Sequence, residues 1–88
     1  MSSSSNEDDV MKAAAILRGL YAALGHELHT ETLDDRLRIH REVYMMKLHP
    51  DLAPLLPFEF DMYVRGPYSS GLAKVIWYGV MGYREGGI

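Results

Sequence analysis

The sequence predicts a mainly α fold of three helices with one short strand, and three observations carry that expectation. Two long stretches repeat apolar residues at three- and four-residue steps, Phe58 to Val64 alternates at a step of two, and glycine and proline stand at the junctions. At 88 residues the chain can bury only about two thirds of its unfolded surface, the range of one small domain of modest stability.

Residues 1–6, Ser-rich, have nothing to bury and read as a disordered tail ahead of a single domain over 7–88. Asn6, Asp8 and Asp9 can each cap a helix, and acids there complement its positive end. From that point Val10, Ala13, Ala14, Leu17, Leu20, Tyr21 and Leu24 mark an amphipathic helix that Gly25 ends. After the connector His26 to Thr32 a second helix begins, with Thr32 as its cap and Asp35 as the acid of a capping box. It runs to about Leu48, because His49 precedes Pro50 and is pushed out of helical geometry. Leu33, Leu37, Tyr44 and Leu48 make one apolar stripe, and Ile39, Val43 and Met46 another, so this helix is expected between two neighbours.

The proline-rich linker HPDLAPLLP leads to a strand whose buried face is expected to be Phe58, Phe60, Met62 and Val64. Gly66 and Pro67 are read as ending it: Gly66 tolerates an unusual turn, and Pro67 fixes its own φ and restrains the residue before it. Ser69 or Ser70 then caps a third helix to about Tyr78, with Leu72, Val75 and Ile76 inward and Lys74, Trp77, Tyr78 and Met81 outward. The last ten residues, with four glycines, read as an extended, turn-rich piece that can pair with the strand.

Composition narrows the function. Zero cysteines remove disulfides, thiol nucleophiles and Cys-held metals, and fit a reducing cytosol. The N-terminus lacks the basic start and apolar run of a secretory signal, and no stretch is apolar enough to span a membrane, so a cytoplasmic protein is expected. Net charge is −3, without general attraction for nucleic acid. Glu7, Asp8 and Asp9 supply three of the twelve acids, leaving nine acids against nine bases from residue 10 onward.

Helix, helix, strand, Gly-Pro turn, helix and extended segment is the order of a winged-helix or helix-turn-helix domain, here with a reduced wing because the sequence stops at Ile88. Val43 to Met46, the aromatic strand, and then Gly66, Pro67, Tyr68 and Ser69 with Leu72 three residues on resemble the uncharacterised prokaryotic YwgA-like proteins, which are similar to the Panacea antitoxin domain. The likeness covers roughly residues 33–80, with Ala73 and Lys74 where it would place an acid. It implies a winged-helix-like fold and a regulatory, antitoxin or adaptor role without a catalytic site.

The residues agree with a non-enzymatic reading. His26, Glu27 and His29 have the wrong spacing for a zinc-protease helix, GPYSSG lacks the lysine and spacing of a phosphate loop, and no base accompanies Ser69 or Ser70. No catalytic set, metal site or cofactor site is expected. His40 reads as a packed, hydrogen-bonded histidine, and His49 as a helix-end residue. The expected function is binding of another protein, or of a second copy, through Trp77, Tyr78, Lys74, Met81 and the C-terminal segment, since exposed aromatics centre many interfaces. The alternative is a DNA-binding transcriptional regulator with the third helix in the major groove and Arg65, Ser69, Lys74 and Arg84 as candidate DNA contacts.

Overall fold

The computed structural model describes residues 2–82, and side chains from residue 8 onward. Along the chain come α1 (Ser2–Ala23), α2 (Leu33–Lys47), a 3-10 turn (Ala53–Leu55), β1 (Asp61–Tyr63), β2 (Gly66–Tyr68), and α3 (Ser70–Lys74), which continues into a π-helix (Val75–Val80). The described chain is therefore mainly helical with a small two-stranded antiparallel sheet. It forms two compact units, residues 1–28 with 74–88, and residues 29–73.

In the first unit, α1 is helical from Ser2, ahead of the Asn6-to-Asp9 caps, so the tail expected to be disordered is helical over residues 2–6. Adding residues to an established helix costs far less than nucleating one. At the other end Gly25 takes φ 74°, its N–H bonds the Ala22 carbonyl at 3.0 Å, and the His26 N–H bonds that of Tyr21 at 2.9 Å. This pair of bonds is the Schellman arrangement that glycine favours.

The inner face of α1, Ala14, Leu17 and Tyr21, is buried, as are Val75, Ile76 and Gly79 of the π-helix it packs against. Gly79 makes the approach possible, because a Cβ there would stand 2.7 Å from that of Ala14 and 3.3 Å from Val10 Cγ1. Arg18 closes the π-helix by donating from Nη2 to the carbonyls of Gly79 at 3.0 Å and Val80 at 3.3 Å. These are the terminal carbonyls a helix leaves without partners. Gly79 and Val80 are thus helical, a correction to the extended segment expected from residue 79. The wider turn, seen in the 2.8 Å bond from the Met81 N–H to the Ile76 carbonyl, carries the third helix past Tyr78. The rest of that segment, including Arg84 and its expected strand pairing, lies outside the described residues.

In the second unit the capping box forms: Thr32 Oγ1 accepts from the Asp35 N–H at 3.0 Å, and the Asp35 carboxylate accepts from the Thr32 N–H at 3.2 Å. Ile39, His40 and Val43 make a single buried stripe on α2. The stripe Leu33, Leu37, Tyr44 and Leu48 is not covered at its ends, since Leu33 and Leu48 are exposed. Leu56, Phe58, Ser69 and Leu72 are the other buried residues of this unit.

The expected strand becomes a hairpin. β1 pairs with β2 in the register Asp61 with Tyr68, Met62 with Pro67 and Tyr63 with Gly66. Gly66 and Pro67 therefore belong to the returning strand instead of ending the first one, and the turn falls at Val64 and Arg65. Gly66 takes φ 115° directly after that turn, a value that L side chains resist. The buried alternation survives only at Phe58 and, half-buried, at Phe60; Met62 and Val64 face solvent.

Candidate functional site

A buried histidine of α2 centres the contacts to the hairpin. His40 is 2% exposed, and its ring stacks on Tyr68 with centroids 4.4 Å apart and planes 9° from parallel. Phe60 meets the same ring edge-on at 6.4 Å, and Phe60 in turn meets Tyr44 at 5.5 Å. Nδ1 of His40 accepts the Ser69 backbone N–H at 3.1 Å, which fixes the neutral tautomer with its proton on Nε2. Desolvation lowers the His40 pKa from 6.5 to about 4.

Ser69 donates with its backbone and accepts with its side chain. Ser69 Oγ accepts the Leu72 N–H at 3.2 Å, so the residue whose amide is held by His40 also caps α3. Gly66, Pro67, Tyr68, Ser69 and Leu72 thus form one device: Gly66 lets the chain return, its α-carbon side close to the Arg41 stem, where a Cβ would sit 3.7 Å from Cγ. Pro67 lies opposite Met62, Tyr68 stacks on His40, Ser69 turns the chain into α3, and Leu72 is fully buried. The corner expected at Gly66 and Pro67 stands at Ser69.

What the docked hairpin presents outward is apolar. Met62 is 66% exposed, Tyr63 60% and Val64 105%. Beside them, Leu37 of α2 and residues 63–68 line a shallow cavity of about 440 Å³. Tyr63 meets Tyr68 edge-on at 6.0 Å, and Tyr68 itself stays exposed at its outer side. Arg65 at the turn is exposed.

The residues expected on the outer face of the third helix belong to the first unit. Lys74 is exposed and Trp77 is 42% exposed, whereas Tyr78 and Met81 are half-buried. Leu72, Val75 and Ile76 point inward as expected. Ser69 is 1% exposed and committed to the cap, so the corner must open before its hydroxyl could reach a DNA phosphate. Of the other histidines, His29 Nδ1 lies 3.8 Å from Glu31 Oε1, and the His26 and His49 amides close the ends of α1 and α2. Met62 and Val64, expected on the buried face of the strand, are surface groups, whereas Tyr63 is exposed on the side the alternation left open. The sequence carries no standard signal for this turn, because Val64 and Arg65 are not hairpin-turn residues and Gly66 falls in the returning strand.

Among the described residues no helix is long and apolar enough to cross a membrane. The chain matches no family model, no curated protein and no solved structure.

Proposed function

We propose that this chain is a non-enzymatic regulatory module, antitoxin- or adaptor-like and cytoplasmic, that acts by binding protein. The observation that carries the reading is the apolar hairpin surface: Met62, Tyr63 and Val64 stand in solvent on a hairpin that His40 and Tyr68 fix in place. Contiguous exposed apolar groups on a small domain mark interaction surfaces, and a rigid presenting element lowers the entropy cost of docking. Trp77 and Lys74 offer a second candidate surface in the first unit, with Tyr78 and Met81 as its half-buried floor.

The resemblance to YwgA-like and Panacea-type sequences and the winged-helix-like architecture with a reduced wing belong to the same proposal. In support stand three helices with a two-stranded hairpin, although the hairpin lies between α2 and α3 rather than after α3. The DNA-binding reading draws on exposed Arg65 at the hairpin turn and exposed Lys74 on α3.

A photo-crosslinking residue placed at Val64, compared with one at exposed Met45 on α2, tests protein binding. Discrete protein adducts from position 64 that persist at moderate salt support it; equal labelling from both positions refutes it. A random duplex titrated at several salt concentrations tests the alternative. A binding slope of several phosphates, reduced by about one in Lys74→Ala, would move the function to DNA.

A further inference from the structure

We propose that the free edge of β1 is a self-pairing edge, at which two copies of the chain join antiparallel about Met62. This rests on the protein-binding reading and deepens it by naming the occupant of the hairpin surface.

The register of the ladder decides which backbone groups are free. Met62 stands opposite Pro67, and Pro67 has no N–H, so these two cannot exchange the pair of bonds that a hydrogen-bonded position requires. The position is therefore the non-bonded one, and the N–H and C=O of Met62 point away from β2, toward the open side. All three residues of β1 are exposed. Proteins commonly blunt such an edge with lysine, proline or a covering element. Here the proline sits on β2, and β1 offers neither proline nor lysine from Asp61 to Tyr63.

The charges around this edge favour a second copy in one register. Antiparallel pairing centred on Met62 sets Met62 against Met62 of the other copy, and Tyr63 against its Asp61. It also runs Arg65 toward the other copy's Glu59 and Asp61. Glu59, Asp61 and Arg65 are all exposed, and none of the three is engaged in an ion pair among the described residues. Because the contact is isologous, each opposite-charge approach is made twice. A parallel arrangement in register would bring like charges together instead. Met62 and Val64, which one copy leaves in water, would gain cover from the partner. With only three residues of edge the dimer is weak and reversible.

The test is light scattering or sedimentation of the full chain from about 10 µM to about 1 mM, the range in which a small interface titrates. The expected result is a dimer fraction that rises with concentration. Met62→Pro removes the outward N–H and the exposed Met62 side chain but no bond between β1 and β2, so it should stay monomeric with unchanged helical circular dichroism and thermal midpoint. Arg65→Glu and Glu59→Arg should each weaken the dimer by roughly two- to tenfold, and an equimolar mixture of the two should regain it, since both charge pairs are restored in the mixed dimer. A chain that is monomeric at about 1 mM, a dimer indifferent to Met62→Pro, or a mixture no tighter than either variant alone would overturn the proposal. In that event, adducts of a different protein at position 64 would still uphold the broader reading, whereas loss of both would end it.

Discussion

Acidification from neutrality to about pH 4 tests the docking of the hairpin through His40 alone. The folded unit holds the ring neutral, with a pKa of about 4 against 6.5 for an ordinary histidine, because burial disfavours the imidazolium. Protonation also turns Nδ1 from an acceptor into a donor facing the Ser69 N–H, which breaks the 3.1 Å bond. Since the folded pKa lies below the unfolded one, the contribution to stability is fully present above 6.5, declines as pH falls through that value, and is lost by about 4. At about 1.4 kcal/mol per pKa unit, the gap between 6.5 and about 4 amounts to about 3 kcal/mol.

The assay is urea unfolding across this range for the native chain and for His40→Asn, whose amide oxygen can take the place of Nδ1 but does not titrate. The native chain should lose about 3 kcal/mol more than the variant, because the surface carboxylates common to both cancel in the difference. Identical pH dependence in the two proteins, or a His40 proton resonance titrating near the ordinary value of 6.5, would refute the reasoning.

Other outcomes follow from the packing and the caps. Gly79→Ala must push its Cβ into Ala14 and Val10, so thermal unfolding should show a loss of about 1–3 kcal/mol, whereas Gly19→Ala, with open space around it, should not destabilise α1. Ser69→Ala removes the acceptor for the Leu72 N–H and should cost about 1 kcal/mol in urea; Thr32→Ala, which breaks the capping box of α2, should cost a similar ~1 kcal/mol. Trp77, at 42% exposure, should fluoresce toward the red and be quenched by iodide; a blue, unquenched signal would remove it from any binding surface.

Much of this architecture was legible before any coordinates. Gly25, the Thr32 and Asp35 pair, and Ser69 act through local backbone bonds, which sequence spacing reports directly, and all three behave as expected. Leu72, Val75 and Ile76 were readable as a buried set because three- and four-residue steps hold over short distances even where the helix widens. The hairpin was not readable in the same way. The alternation from Phe58 to Val64 is genuine, but which side is buried depends on what the strand meets, and its register is set by a returning strand that begins at the supposed terminator Gly66. The π-helix gave no sequence signal, since it arises where Gly79 admits α1 and Arg18 collects the terminal carbonyls, both contacts more than sixty residues apart in the chain.

For the candidate site, His40 was readable as packed and hydrogen-bonded, but its partner Ser69 lies 29 residues away, beyond any periodicity. The apolar tip was misassigned for the same reason as the strand. Once Tyr68 is drawn to His40, its ladder partners fix the hairpin, and Met62 is turned outward with the Val64-Arg65 turn beyond it.

Nuclear Overhauser contacts around the hairpin test this arrangement most directly. The ring protons of His40 should show close contacts with those of Tyr68, while the methyls of Met62 and Val64 show none to Ile39 or Val43. Contacts from Met62 and Val64 into that stripe of α2, with Tyr68 left in solvent, would reverse the hairpin and remove the surface on which the proposed function stands.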